Sequence, residues 1–299
     1  MPRPESTMAE TANPDPLTLL APAKLNLFLE VLRKREDGYH DLETVMQEID
    51  LCDELAFERR ERGITLTCDD VRVPTDERNL VWRAASLLSD ECGVQDGVAI
   101  HLRKRIPVGG GMGGGSSDAA ATLKGLNRLW RLELSDEELR SFAARLGSDV
   151  AFFITGGTAV CHGRGEIVSS FRVPTPLTYV LLCPELSVST ASVYRRLRLD
   201  LTCRRESAKY LRDALTSANP DQIGRLLFNR LEEVTFQLYP ALLGFREGLQ
   251  KMGFCGTLMT GSGSALFGLC RGQTEAHAAQ AKIERTNWGR VFVVTTMSR

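Results

Sequence analysis

The chain has 299 residues, enough for one large domain or for two with separate cores. Its 43% apolar and 25% charged content is that of a soluble globular protein, and 37 basic against 38 acidic residues leave a net charge of −1, so no global field draws nucleic acid or an anionic membrane and any anion site has to be local. No run approaches the roughly 18 apolar residues that span a bilayer, and eight scattered cysteines without a C-x-x-C pair or a histidine cluster argue against zinc and for reduced thiols in a cytosolic protein.

Residues 1–16, rich in Pro, Thr and Glu and lacking an apolar signal core, read as a disordered tail. Residues 17–32 read as a strand or a strand pair with Lys24 and Asn26 set among apolar neighbours. Lysine is rarely buried without a partner, so Lys24 either faces a charge or snorkels from an edge strand. Asp37-Gly38 signals a turn. The Tyr39-His40 pair beside it is either ordinary surface or a pair placed to stack on a flat ring and hydrogen-bond its edge. Strands are expected over 48–58 and 63–68, and a short amphipathic helix over 79–88.

Residues 98–104 alternate as a half-buried strand does and run into Pro107-Val108-Gly109-Gly110-Gly111-Met112-Gly113-Gly114-Gly115-Ser116-Ser117-Asp118, with six glycines in seven positions. Glycine forfeits packing and adds backbone entropy to be lost, and it lets amide N–H groups converge into a nest that prefers an anion. Ser116 or Ser117 is expected to cap a helix that carries Leu123, Leu126 and Trp130 on one face. A strand, a glycine loop and a helix N-terminus together favour phosphate. The loop is not a Walker A loop and lacks the Rossmann acidic residue; its bland alternative is a linker or tight turn.

Ser135-Asp136-Glu137-Glu138 is a capping box that opens a helix through Leu146, closed by Gly147. Asp149, just ahead of an apolar run, is either an N-cap or a desolvated carboxylate held ionised by a cation, for which Lys24 is the candidate. Residues 156–168 resemble a hairpin. Pro174-Thr175-Pro176 marks a boundary between units 17–174 and 175–299. Beyond it we expect a strand over 177–183, a helix entered at 187–194, helices over 207–215 and 222–239, an Ala-rich helix from Glu275 and a last strand over 291–295. Gly261-Ser262-Gly263 is a second small-residue loop that reads alone as a hairpin turn. This half is an α+β sandwich with one helix-covered face.

Pro22-Ala23-Lys24-Leu25-Asn26, the glycine loop from Pro107 to Ser117, and Met259-Thr260-Gly261-Ser262-Gly263 resemble, in order and separation, the three motifs of the GHMP small-molecule kinases. Gly38-Tyr39-His40-Asp41-Leu42 and Gly147-Ser148-Asp149-Val150 are similar to the branch whose acceptor is a methylerythritol carrying cytidine diphosphate. The resemblance spans residues 17–294. It implies an α+β, two-domain GHMP kinase fold: an N-terminal ATP-binding domain with a left-handed βαβ unit, against the usual hand, and a ferredoxin-like C-terminal α/β sandwich.

The activity implied is ATP-dependent phosphorylation of the erythritol 2-hydroxyl, a step of the non-mevalonate isoprenoid pathway, with ATP and Mg²⁺, in the cytoplasm, most simply a bacterial cytosol, by a monomer or homodimer. Other kinases of the superfamily, for homoserine or mevalonate, and a non-catalytic nucleotide sensor on the same fold are the alternatives. Carried over by motif, Lys24 and Asp149 are catalytic. Pro107, Val108, Gly109, Gly110, Gly111, Met112, Gly113, Gly114, Gly115, Ser116 and Ser117, with Asn79 and Lys104, bind ATP, and Ser117 meets Mg²⁺. Asn26, Tyr39, His40, Thr190, Tyr194, Gly261 and Ser262 bind the acceptor. Two departures stand out. Asp118 replaces an Asn common in relatives and is expected to point away from phosphate, and Met46 holds a position where an aromatic would stack on cytosine.

Overall fold

The structure, a computed structural model, describes residues 17–199 and 207–297. The tail assigned to 1–16, and Cys203, lie outside the described residues. Residues 17–32 belong to one continuous strand, β1 (Leu17–Lys34), antiparallel to the 21-residue β2 (His40–Arg60). Register shifts between Pro22/Ala23, Asn26/Phe28 and Val31/Arg33 bend the pair around Lys24 and Asn26, as extra residues in one strand of a ladder do.

β2 is long enough to pair twice along its other edge. Its second half takes β4 (Gly97–Arg103), and its first half takes β5 (Thr158–Gly163), which forms the expected hairpin with β6 (Ile167–Phe171). β3 (Ile64–Cys68) lies parallel to β4, and α1 (Leu80–Cys92) connects them as a βαβ unit. α1 packs with α2 (Gly114–Leu129), α3 (Asp136–Leu146) and α4 (Val150–Thr155) over a core that includes Phe57, Leu88, Ile100, Leu123, Leu126 and Phe152. The capping box of α3 forms as expected: the Ser135 hydroxyl accepts from the Glu138 amide, and the Glu138 carboxylate accepts from the Ser135 amide.

The second sheet comprises β7 (Thr178–Cys183), β9 (Gly256–Met259), β10 (Leu266–Cys270) and β11 (Arg290–Thr295), all antiparallel, in the order β11-β7-β10-β9. Numbered along the chain, that order is the 4-1-3-2 of a ferredoxin-like sheet. Its helices are α5 (Thr190–Arg196), α6 (Ala208–Ser217), α7 (Pro220–Leu226), α8 (Leu231–Leu238), α9 (Pro240–Gln250) and α10 (Gln273–Glu284).

The helix expected over 222–239 is broken by β8 (Phe228–Asn229), which joins the first sheet parallel to β1. The reason is Asn229: its side-chain amide donates to the carbonyls of Met259 and Gly261, both at 2.7 Å, and its oxygen accepts the Leu231 amide at 2.9 Å. Those bonds tie the break to a loop thirty residues further along the chain. α9 was not among the expected elements.

Each unit has a buried cluster of its own, and a third cluster joins them. One cluster of buried residues contains Leu25, Leu27 and Phe28 of β1 together with Tyr179, Leu181 and Phe267 of the second sheet. The Tyr179 hydroxyl donates to Gln47 of β2 at 2.6 Å across the same seam. A buried polar bond inside a shared apolar core sets the two sheets in one orientation, and the site is built where they meet.

Candidate active site

Between β4 and α2 the backbone alternates hand. Gly109, Gly111 and Gly113 have φ of 79°, 75° and 71°, while Gly110 and Met112 between them do not enter the left-handed region. Such alternation turns successive amides into one concavity, a nest for an anion. Gly113 is itself the N-cap, with no side-chain capping bond, so α2 starts at Gly114 and Ser116 and Ser117 lie inside its first turn. The expected serine cap is therefore absent, because a left-handed glycine turns the chain into the helix and leaves the first amides without helical acceptors. Those amides and the positive end of the dipole are available to phosphate.

Two cavities meet at this loop. The larger, about 840 Å³, touches Gly111, Gly113 and Ser116 and extends over Lys24, Asn26 and Asp149. The smaller, about 350 Å³, is lined by the loop from Pro107 to Ser116 and by Asn79, Lys104 and Asp118. Gly111, Gly113 and Ser116 belong to both.

Lys24 stands at this junction, 3% exposed. Alternation along β1 puts Lys24 and Asn26 on one face and Leu25 on the other. Its backbone amide donates to Met112 O at 3.0 Å; its ammonium donates to Gly111 O at 2.9 Å and to the side-chain oxygen of Asn26. Asn26 is anchored in turn by Thr44 and Thr260, neither of them anticipated. The Asp149 carboxylate lies 3.5 Å from the Lys24 ammonium, its side chain 31% exposed. Asp149 precedes α4 but makes no capping hydrogen bond. Lys24 therefore does not snorkel, and Asp149 holds the N-cap position of α4 without capping it; at 31% exposure it is not the desolvated carboxylate expected, and a buried cation faces a partly open carboxylate.

The acceptor residues expected from sequence converge on the larger cavity, which is lined by Tyr39, His40, Thr190, Tyr194, Gly261 and Ser262. The His40 and Tyr194 rings lie 5.1 Å apart, and the Thr190 and Ser262 hydroxyls are 2.7 Å apart. Burial, and then the charge of Lys34, lower the pKa of His40, which favours the neutral ring, one nitrogen donating and one accepting. Tyr39 is 53% exposed, with the Arg164 guanidinium 4.9 Å from its ring centroid. Arg164, on the β5–β6 turn, was missed; its one signal in the sequence is an arginine between two turn glycines. Met46 lines the cavity as a buried side chain. Gly261 is both things at once, a β9–β10 hairpin residue and a wall of the site.

Around the smaller cavity Asn79 lies where it was expected, and Asp118 and Ser117 do not. Asn79 is the N-cap of α1, its oxygen accepting from the Val81 amide, and it lines the smaller cavity from there. Asp118 is not turned away: it lines that cavity and accepts a 2.7 Å bond from Lys104, because a buried ammonium there needs carboxylates. Burial, against the pull of Lys104, pushes the Asp118 carboxyl up to about 7. Ser117 lines neither cavity; its hydroxyl is buried without a hydrogen-bond partner.

A family model for the GHMP kinases N terminal domain matches residues 79–157, and one for the GHMP kinases C terminal matches 211–289. The chain is 46% identical to the 4-diphosphocytidyl-2-C-methyl-D-erythritol kinase of Shouchella clausii, over 84% of this chain and 85% of that one. It is also 46% identical to the enzyme of that name from Geobacillus thermodenitrificans, over 85% and 88%. A crystal structure of 4-(cytidine 5'-diphospho)-2C-methyl-D-erythritol kinase superposes with a TM-score of 0.82 at 37% identity, covering 95% of this chain and all of that one. Homoserine kinase from Cytophaga hutchinsonii, TM-score 0.77 at 21% identity, shares the fold. Among the described residues no helix is long and apolar enough to cross a membrane. With its three motifs assembled at one junction and these relatives along most of its length, the chain belongs to the GHMP kinases, in the 4-diphosphocytidyl-2-C-methyl-D-erythritol kinase family.

Proposed function

We propose that the chain transfers the terminal phosphate of ATP to the 2-hydroxyl of 4-diphosphocytidyl-2-C-methyl-D-erythritol, releasing ADP. The observation that carries this reading is the position of Lys24, bonded to a carbonyl of the glycine loop and 3.5 Å from Asp149, where the two cavities join. Phosphoryl transfer asks mainly for positioning and charge neutralisation. The loop amides and the α2 N-terminus hold the phosphates from the smaller cavity. The acceptor enters the larger one with its hydroxyl at Asp149, which orients it or takes its proton, while the Lys24 ammonium offsets the negative charge that develops on the attacking oxygen.

Mg²⁺ fits as a companion of the nucleotide. Among the described residues no group of three or more His, Cys, Asp or Glu side chains forms a cage, and Mg²⁺ commonly rides on phosphates with its own waters. The unpartnered Ser117 hydroxyl is the oxygen this chain would offer it. When bound, the ion neutralises phosphate charge.

A coupled assay for ADP release tests the reaction. Turnover is expected with the cytidylylated methylerythritol and not with homoserine, mevalonate or methylerythritol lacking the nucleotide; equal turnover with the bare alcohols would sink the assignment. The base platform has its own test. Tyr39→Ala removes a half-exposed ring from the wall without disturbing the core. It is expected to raise KM for the acceptor by about tenfold or more, as loss of base–aromatic stacking does, with KM for ATP unchanged. A rise in both constants, or in neither, would remove Tyr39 from the acceptor site.

A further inference from the structure

We propose that Asp53, which lines neither cavity, is a positioning residue for the nucleotide: it ties down the glycine loop where the chain enters it and, through Lys104, where the chain leaves it. Asp53 lies in β2 and is fully buried. Its Oδ1 accepts the amides of Arg105 at 2.5 Å and Ile106 at 2.9 Å, the two residues ahead of Pro107. Its Oδ2 accepts from the Lys104 ammonium, which also donates to Asp118 Oδ2 at 2.7 Å, one residue past the serines of α2. One buried ion cluster therefore fastens the end of β4 and the start of α2 to β2, and β2 is held on both edges by β1, β4 and β5.

A run of glycines has few side chains to hold its shape; the middle of this loop is held through the carbonyls of Gly110, Gly111 and Met112 by Ala265 and Lys24, and its two ends are held by the ion cluster. Electrostatics alone disfavours this arrangement. Two carboxyl groups share one ammonium, so the cluster brings no net positive charge to a site for a polyanion, and burying ions is costly even when they are paired. Lys104, with two of its three donors on carboxylates, serves the nucleotide chiefly through the loop. Asp69 holds the Lys104 amide at 2.8 Å and completes the anchorage.

The inference rests on reading the smaller cavity as the nucleotide site, and the test separates the two. Asp53→Asn keeps the shape of the side chain and removes one negative charge. If positioning governs, Kd for a non-hydrolysable MgATP analogue and KM for MgATP rise about tenfold or more, KM for the acceptor stays within about twofold, and amide hydrogen exchange quickens in peptides covering 104–118 but not in the second sheet. If the cluster acts only through its charge, loss of the carboxylate tightens a polyanion, the opposite sign. Unchanged or tighter MgATP binding in folded Asp53→Asn overturns the proposal. Should that variant fail to fold, Asp69→Ala, at an exposed residue whose loss frees the Lys104 amide at the entry to the loop, is held to the same signs. Wild-type protein that binds no MgATP overturns the functional reading itself, and this inference with it.

Discussion

Asp149→Asn is expected to lower kcat by about 10²–10⁴-fold, the range attributed to a positioned general acid or base, while KM for both substrates changes little. The substitution is isosteric. The Asp149 side chain makes no capping hydrogen bond to α4, so its replacement removes a charge from the site without removing a structural bond. What disappears is the carboxylate 3.5 Å from the Lys24 ammonium, the group to which the proposed reaction assigns the attacking hydroxyl. Lys24→Met is expected in the same range, and the double variant to lose little more than either alone, because groups that act as a unit are not additive. Steady-state kinetics with both substrates varied decide the matter. Turnover within about tenfold of wild type in Asp149→Asn would exclude it as base and as orienter.

Gly111→Ala should be almost as damaging, by a different route. Gly111 has φ of 75°, and a Cβ built there would lie 2.3 Å from the Thr260 carbonyl oxygen and 3.0 Å from that of Gly263. Neither neighbour is the free end of a side chain, and the opposing loop is fastened, through its Met259 and Gly261 carbonyls, to the side-chain amide of Asn229. The glycine loop has to move instead, carrying with it the Gly111 carbonyl that orients Lys24. A displacement of about 1 Å costs about 10²-fold in positioned chemistry, so kcat/KM for ATP should fall by about that factor, with about 1–3 kcal/mol lost in stability. Gly157→Ala is the control. Its φ is 71°, but a Cβ there meets nothing within 4 Å, so it should cost about 1–2 kcal/mol of stability and leave kinetics unchanged. Thermal unfolding and kinetics of both variants test the pair; equal kinetic effects would mean that close approach, as distinct from backbone strain, is irrelevant at Gly111.

Much of the site was legible because its parts carry local chemical oddities. A lysine inside an apolar strand, a run of glycines between a strand and a helix, and an aspartate ahead of an apolar segment each need an explanation in isolation. Other parts were misread for equally local reasons. Ser116 and Ser117 look like caps because capping residues usually are serines, yet a glycine in the left-handed region did the turning. Asn229 looked like one residue of a helix, and nothing near it in sequence indicates that its amide closes the β9–β10 loop. Asp53 and Arg164 gave weaker signals still, one an acid in a strand and the other an arginine in a turn.

Residue chemistry and short-range periodicity therefore specified most of the strands and helices and the expectation of an anion at the glycine loop, since each depends on atoms a few positions apart; the family came from the resemblance of three motifs. Which face of Lys24 meets Asp149, how Lys104 is shared between two acids, and where one cavity opens into the other were decided by the packing of the two sheets into a common core. Contacts between residues far apart in the chain are set by how buried surfaces fit together. That fit is a property of the whole assembled interior, and no single segment contains it.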